Sequence, residues 1–269
     1  MIERITHLKV FLITFSLNKR RDFLFSTFLF FLFSGNIKSQ NSSFRVLAFY
    51  STNVERDHVQ FARDALAYFT KLAKDRHFAF DSTTDWSRTN DSTLKNYQVI
   101  MWINEFPHTE EERRAFEKYM TNGGAWIGFH VSAYNDRETQ WAWIVDFLGG
   151  AVFYTNNWPP LAAKLIVEDR NHPVTKNMPS AFRSPINEWY QWKPSPRTDK
   201  HVKVLVSLDS SNFPLGKKDI IYSGDLPVVW TNTKYRMVYF NMGHGDQVLT
   251  DPVQNRMFEN ALIWLGAKR

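Results

Sequence analysis

The stretch from Thr121 to His130 admits few folds. Thr121-Asn122-Gly123-Gly124 closes a helical pattern, and Ala125-Trp126-Ile127-Gly128-Phe129 follows as a short apolar run that delivers His130. Glycine takes left-handed backbone angles without the steric cost of a Cβ, so the pair stops a helix. A short apolar run bounded by such a stop reads as a strand buried on both faces. In open α/β sheets, ligands bind outside the carboxyl ends of the strands, which is where His130 stands. The alternative is a strand-end histidine that only satisfies a buried carbonyl.

The segments on either side repeat the theme. Phe44 to Tyr50 reads as a first strand, and His58 opens an amphipathic helix carrying Phe61, Ala62, Ala65, Leu66, Phe69 and Leu72 on one face. Phe78 and Phe80 mark a second strand, Asp81 to Asn96 a polar loop, and Tyr97 to Ile103 a third strand. Thr109 followed by three glutamates starts a helix that runs to Met120, since a hydroxyl cap and acids in the first turn complement the free amide groups there. A further helix is expected over Gln140 to Leu148, ended by Gly149-Gly150. This alternation predicts an α/β fold with a doubly wound, mostly parallel sheet. Beyond Pro159 the pattern changes: Ala163–Glu168, His201–Leu208, Leu226–Thr231 and Tyr235–Asn241 are strand-like, and they either extend the sheet with antiparallel strands or form a β-rich lobe. Val253 to Leu265 closes the chain as an amphipathic helix.

The first 40 residues read as an address. Lys19-Arg20-Arg21 precedes an apolar run from Phe23 to Phe33, too short for the roughly 20 residues that span a bilayer and fitting a secretory signal cleaved between about Ser34 and Gln40. The alternative is an uncleaved membrane anchor. The expectation is an exported, periplasmic protein that meets the membrane only through this segment, with one domain over residues 43–269. Residues 1–40 hold six of the 33 Lys and Arg and two of the 27 Asp and Glu, so the formal charge of +6 falls to +2 for the rest. A nearly neutral body offers nothing to the phosphates of nucleic acid. Cysteine is absent, which excludes disulfides, thiolate metal sites and cysteine nucleophiles. Ser132 lies beside the central strand, but no Gly-x-Ser-x-Gly turn surrounds it.

Six motifs in order resemble the trehalose-utilisation ThuA-like family. They are His58 ahead of the first helix, Gly123-Gly124-Ala125-Trp126-Ile127-Gly128-Phe129-His130, Glu168-Asp169-Arg170-Asn171-His172-Pro173, Asn187-Glu188-Trp189-Tyr190, Pro227-Val228-Val229-Trp230 and Met242-Gly243-His244. The resemblance covers residues 44–267. It implies a flavodoxin-like, class I glutamine amidotransferase-like fold, and a role in the metabolism of trehalose and related disaccharides. Two positions depart from the family pattern: Asp57 stands where an arginine often precedes the histidine, and Asn187 stands where an aspartate often precedes the glutamate. Without cysteine the chain cannot be a cysteine-dependent glutamine amidotransferase.

The candidate catalytic residues are His58, His130, Glu188 and His244. Imidazoles serve as general acids or bases near neutral pH, and a carboxylate can orient one or accept a sugar hydroxyl. Trp158, Trp189, Tyr190 and Trp230 are candidates to stack on a sugar ring, against the alternative of ordinary packing. His172, before a proline in a turn, reads as structural. The same three imidazoles and one carboxylate suit a divalent metal such as zinc, although no His-x-x-x-His pair is present. The four residues are expected to face one pocket at the carboxyl edge of the sheet, with Gly243 and Gly245 turning the chain into it. The enzyme reading is an acid-base, optionally metal-assisted, reaction on trehalose, a related glycoside or a keto derivative. The other reading is a sugar-binding module without chemistry.

Overall fold

In a computed structural model, residues 43–136, 138–217 and 221–267 are described; the expected leader lies outside them. Along the chain the elements are β1 (Arg45–Phe49), α1 (Arg56–Arg76), β2 (Ala79–Thr83), α2 (Asp91–Leu94), β3 (Val99–Trp102), α3 (Glu110–Thr121), β4 (Ala125–Phe129) and α4 (Ala142–Phe147). There follow β5 (Phe153–Asn156), β6 (Leu161–Val167), β7 (Ala181–Asn187), β8 (Tyr190–Trp192), β9 (Val202–Leu208), β10 (Pro227–Asn232), β11 (Arg236–Phe240) and α5 (Pro252–Gly266). One sheet of nine strands has the order β2-β1-β3-β4-β11-β10-β9-β6-β7. The strands from β2 to β11 in that order pair in parallel, and each later pairing is antiparallel. The strands after Pro159 thus extend the sheet, while β5 and β8 form a separate antiparallel ribbon.

Side chains of a strand alternate between its faces, and the central strands show what this does to the core. Ala125, Ile127 and Phe129 of β4, with Val238 and Phe240 of β11, join Phe61 and Phe69 of α1 and Phe258 of α5 on one face. Trp126 of β4 and Tyr239 of β11 join Phe116 of α3 and Phe147 of α4 on the other. With helices on both faces, β4 is apolar at every position and β11 at every position after Arg236, which is why they read as unbroken runs in the sequence.

Local stops and starts follow the chemistry expected of them. Thr109 and Glu112 form a reciprocal capping box at the start of α3. At its end the amides of Gly123 and Gly124 bond back to the carbonyls of Met120 and Tyr119, with Gly123 at φ +88°. That Schellman closure turns the chain directly into β4. β5, β7 and β8 were not expected. β7 contains Arg183, Ser184 and Pro185, and its place at the sheet edge explains why a proline, which lacks the amide proton, is tolerated there. Among the described residues no helix is long and apolar enough to cross a membrane.

Candidate functional site

The segments that follow three parallel strands, β1, β4 and β11, each bring in a histidine. The loop after β1 leads to Glu55, the N-cap of α1, whose carboxylate accepts the amide protons of Asp57 (3.0 Å) and His58 (3.2 Å). His58 therefore sits in the first turn of α1, held against the sheet. β4 ends at His130, which takes φ +45°, a left-handed conformation costly for a residue with a Cβ. Its ring is fully buried and its carbonyl accepts the Tyr239 hydroxyl at 2.9 Å. β11 is followed by Asn241, Met242, Gly243 and His244. A Cβ on Gly243 would lie 2.6 Å from that of His130, so this glycine allows the close approach of two protein segments.

The four predicted residues converge. The ring of His58 lies 5.2 Å from that of His130 and 5.0 Å from that of His244, and His130 and His244 are 5.8 Å apart, all between centroids. Glu188, between β7 and β8, places Oε2 at 3.1 Å from His130 Nε2 and 3.9 Å from His244 Nε2. Its other oxygen accepts the Asn156 amide. Glu55, which the sequence did not single out, adds a second carboxylate 3.5 Å from His244 Nε2 and 3.8 Å from His58 Nδ1. Glutamate is not among the favoured N-cap residues, and only its contacts distinguish it.

The network fixes protons as well as positions. His130 Nδ1 lies 2.9 Å from the backbone carbonyl of Asn241, so it must carry hydrogen and donate. In the neutral ring Nε2 is then a lone pair aimed at Glu188. Burial holds His130 neutral, its pKa pushed down to about 3. Burial, with His130 and His244 nearby, does the same to His58, also to about 3. Burial raises the Glu188 carboxyl to about 7. Asn187 shows why an amide stands at the departure from the family pattern. Its Oδ1 accepts the amides of Gly243 (3.0 Å) and His244 (3.1 Å), and its Nδ2 donates to the Asn241 carbonyl at 3.1 Å. An ionised aspartate would keep the first two bonds and lose the donor.

The aromatic candidates divide. Trp158 is 42% exposed, with its ring 6.2 Å from that of His244, at the rim of the site. Trp189 and Trp230 are fully buried, their indole N–H groups bonded to the carbonyls of Leu161 and Leu148, and neither can stack on a ligand. Tyr190 is buried too, its ring packed 3.9 Å from that of His130. These three were expected as sugar platforms and are packing residues instead, because an aromatic run beside a site and one beneath it look alike in sequence. His172 is structural as expected, accepting the Val174 amide and packing on Trp264. The Ser132 hydroxyl is buried and bonds to nothing among the described residues, which gives no base to activate it.

His244 forms part of the wall of a cleft of about 380 Å³, together with Arg56, Asp57, Gln60, Ile186 and Gln247. A second cleft of about 490 Å³ opens at the opposite edge of the sheet, lined by Gln98, Tyr119, Gly124 and neighbours and by no histidine. Of these two clefts, the first borders the histidine cluster, through His244. For a metal, two overlapping sets offer ligand atoms within 4.8 Å of one another: His58, His130 and Glu188, and Glu55, His58 and His244.

The family described as ThuA, trehalose utilisation, matches residues 45–265. A crystal structure assigned as a ThuA-like protein from Bacteroides uniformis ATCC 8492 is 50% identical, with a TM-score of 0.82 over 84% of this chain and 93% of that one. Another such protein, from Parabacteroides merdae ATCC 43184, is 16% identical with a TM-score of 0.60 over 82% of this chain and 90% of that one, a likeness of fold. A Thermoplasma acidophilum protein assigned as part of a GMP synthase reaches 0.50 at 10% identity, over 83% of this chain and 94% of that one. No curated protein matches. With a family match over most of its length and a half-identical neighbour of the same assignment, the chain belongs to the trehalose-utilisation ThuA family.

Proposed function

We propose that this protein is an exported enzyme acting on trehalose, a related glycoside or a keto derivative of one, with His244 meeting the substrate in the 380 Å³ cleft. The observation that carries this is the convergence of three imidazoles and two carboxylates behind one cleft wall. A cleft of that volume falls in the range that holds small organic ligands. His244 joins the cleft to the buried centre, and Glu55 stands within reach to orient its ring or balance a charge on it. Arg56, Asp57, Gln60 and Gln247 supply the mixed donors and acceptors that sugar hydroxyls require, and Trp158 offers an exposed aromatic face beside them. The classification as class I glutamine amidotransferase-like belongs to the same reading. The doubly wound order β2-β1-β3-β4-β11 and the likeness in fold to the Thermoplasma protein support it, while the chain has no cysteine to supply the thiol nucleophile that glutamine would need.

The test is turnover of trehalose, other glycosides and their 3-keto forms by purified protein, with and without added zinc. His244→Ala is expected to lower the rate about 10²- to 10⁴-fold, the usual range for removing a general acid or base. Sugar binding that survives His244→Ala with no product from any substrate would instead establish a binding module. Export rests on the basic and apolar pattern of residues 19–33 and is checked by cell fractionation; a cytoplasmic pool alone would remove it.

A further inference from the structure

The centre behind the cleft is short of positive charge. Among the described ion pairs, Glu188 and Glu55 meet only imidazoles; no lysine or arginine pairs with either. Glu188 is buried, and an ionised carboxylate removed from water requires a compensating cation. His130 Nε2 presents a lone pair to Glu188 Oε2 at 3.1 Å, because Nδ1 is committed to the Asn241 carbonyl. A single proton between these two atoms would satisfy them. It would do nothing for His58 Nε2, which is buried and bonded to no atom of the described protein. What sets this nitrogen apart from a buried indole packed among rings is its place beside a second imidazole and a carboxylate, with which it could share one partner.

We infer that His58, His130 and Glu188 hold one divalent first-row transition ion, with its open coordination position facing His244 and the cleft. The three donor atoms lie within 4.8 Å of one another. Zinc–nitrogen and zinc–oxygen bonds of roughly 2.0–2.2 Å place the ligand atoms of a filled tetrahedral site roughly 3–3.5 Å apart, so small side-chain rotations close the set. Two imidazoles and one carboxylate favour zinc or iron(II) over calcium or magnesium, which prefer oxygen throughout. The carbonyl that fixes the His130 tautomer is the partner a metal-bound imidazole characteristically has, since it leaves the other nitrogen free and more basic. Three protein ligands and an open position are the arrangement of catalytic rather than structural zinc. The inference does not depend on the sugar reading, because occupancy is measured without substrate.

The experiment strips the full chain with a chelator, restores Zn²⁺ or Fe²⁺, removes excess ion and measures bound metal per chain by elemental analysis. One ion per chain is expected, with the affinity falling about 100-fold or more in His58→Ala and in Glu188→Gln, and unchanged in His108→Ala, an exposed histidine outside the cluster. Co²⁺ bound to the unmodified protein should give the visible absorption of a four- or five-coordinate ion. That measurement remains informative if a variant does not fold. Zero occupancy with each ion would overturn the inference. So would occupancy that survives both variants, or that is lost in Glu55→Gln while Glu188→Gln retains it, which would assign the ion to the outer set.

Discussion

Trp102 on one face of the sheet and His130 at its carboxyl edge are both fully buried, and they are held by different means. Around Trp102 the contacts are rings: Phe116 at 4.2 Å, Trp126 at 5.3 Å and Trp141 at 6.3 Å between centroids. The indole N–H groups of Trp102, Trp126 and Trp192 have no hydrogen-bond partner among the described residues. Around His130 the contacts are directional bonds to Asn241, Glu188 and, through its carbonyl, Tyr239. The aromatic layer is held by dispersion and by the exclusion of water from large rings. The polar centre gains little net energy per bond, since each replaces one made to water, but it fixes angles and protons. The first region supplies stability, and the second supplies geometry.

Substitutions can break or sharpen this contrast. The largest effect on stability is expected from Trp102→Ala, which leaves a cavity between α3 and the sheet and should cost about 3–5 kcal/mol in chemical denaturation. Activity and metal content per folded molecule should stay near those of the parent. A loss below about 1 kcal/mol would mean the layer is not the source of stability. Gly243→Ala comes next and bears on both regions, because the added Cβ meets that of His130 at 2.6 Å and lies 3.3 Å from Phe61. Overpacking of this kind should cost about 1–3 kcal/mol, together with a drop in turnover larger than that loss of stability explains. Equal turnover per folded molecule would show that His130 need not be placed so closely. The smallest effect is expected from Trp158→Ala at the exposed rim, within about 0.5 kcal/mol in denaturation. An aromatic contact with ligand is worth enough that KM for a sugar substrate should rise roughly two- to ten-fold. An unchanged KM would remove Trp158 from the cleft's function.

His58, His130, Glu188 and His244 could be picked out of the sequence because each lies in a motif that resembles the ThuA-like family, and the three histidines also sit beside an expected helix start or strand end. Glu55 carried no such mark. It looked like one more polar loop residue, and its value comes from the amides of Asp57 and His58 that pin it beside His244. Trp189, Tyr190 and Trp230 carried a misleading mark, since aromatic character reports burial and ligand contact alike. β7 escaped because Pro185 interrupts the strand pattern, and only its place at the sheet edge makes the proline harmless.

What the sequence by itself determined was the parallel half of the fold: apolar runs at β1, β3 and β4, a capped and glycine-terminated α3, and the absence of any thiol. These are local properties, set by periodicity, capping and backbone freedom within a few residues. The tertiary structure alone decided how the antiparallel strands continue the sheet, which aromatic rings are beneath the site and which at its rim, and how the proton on His130 is placed. Those depend on residues more than a hundred positions apart, such as His130 and Asn241, whose distance is set by the sheet pairing of β4 with β11 and by nothing in the neighbourhood of either.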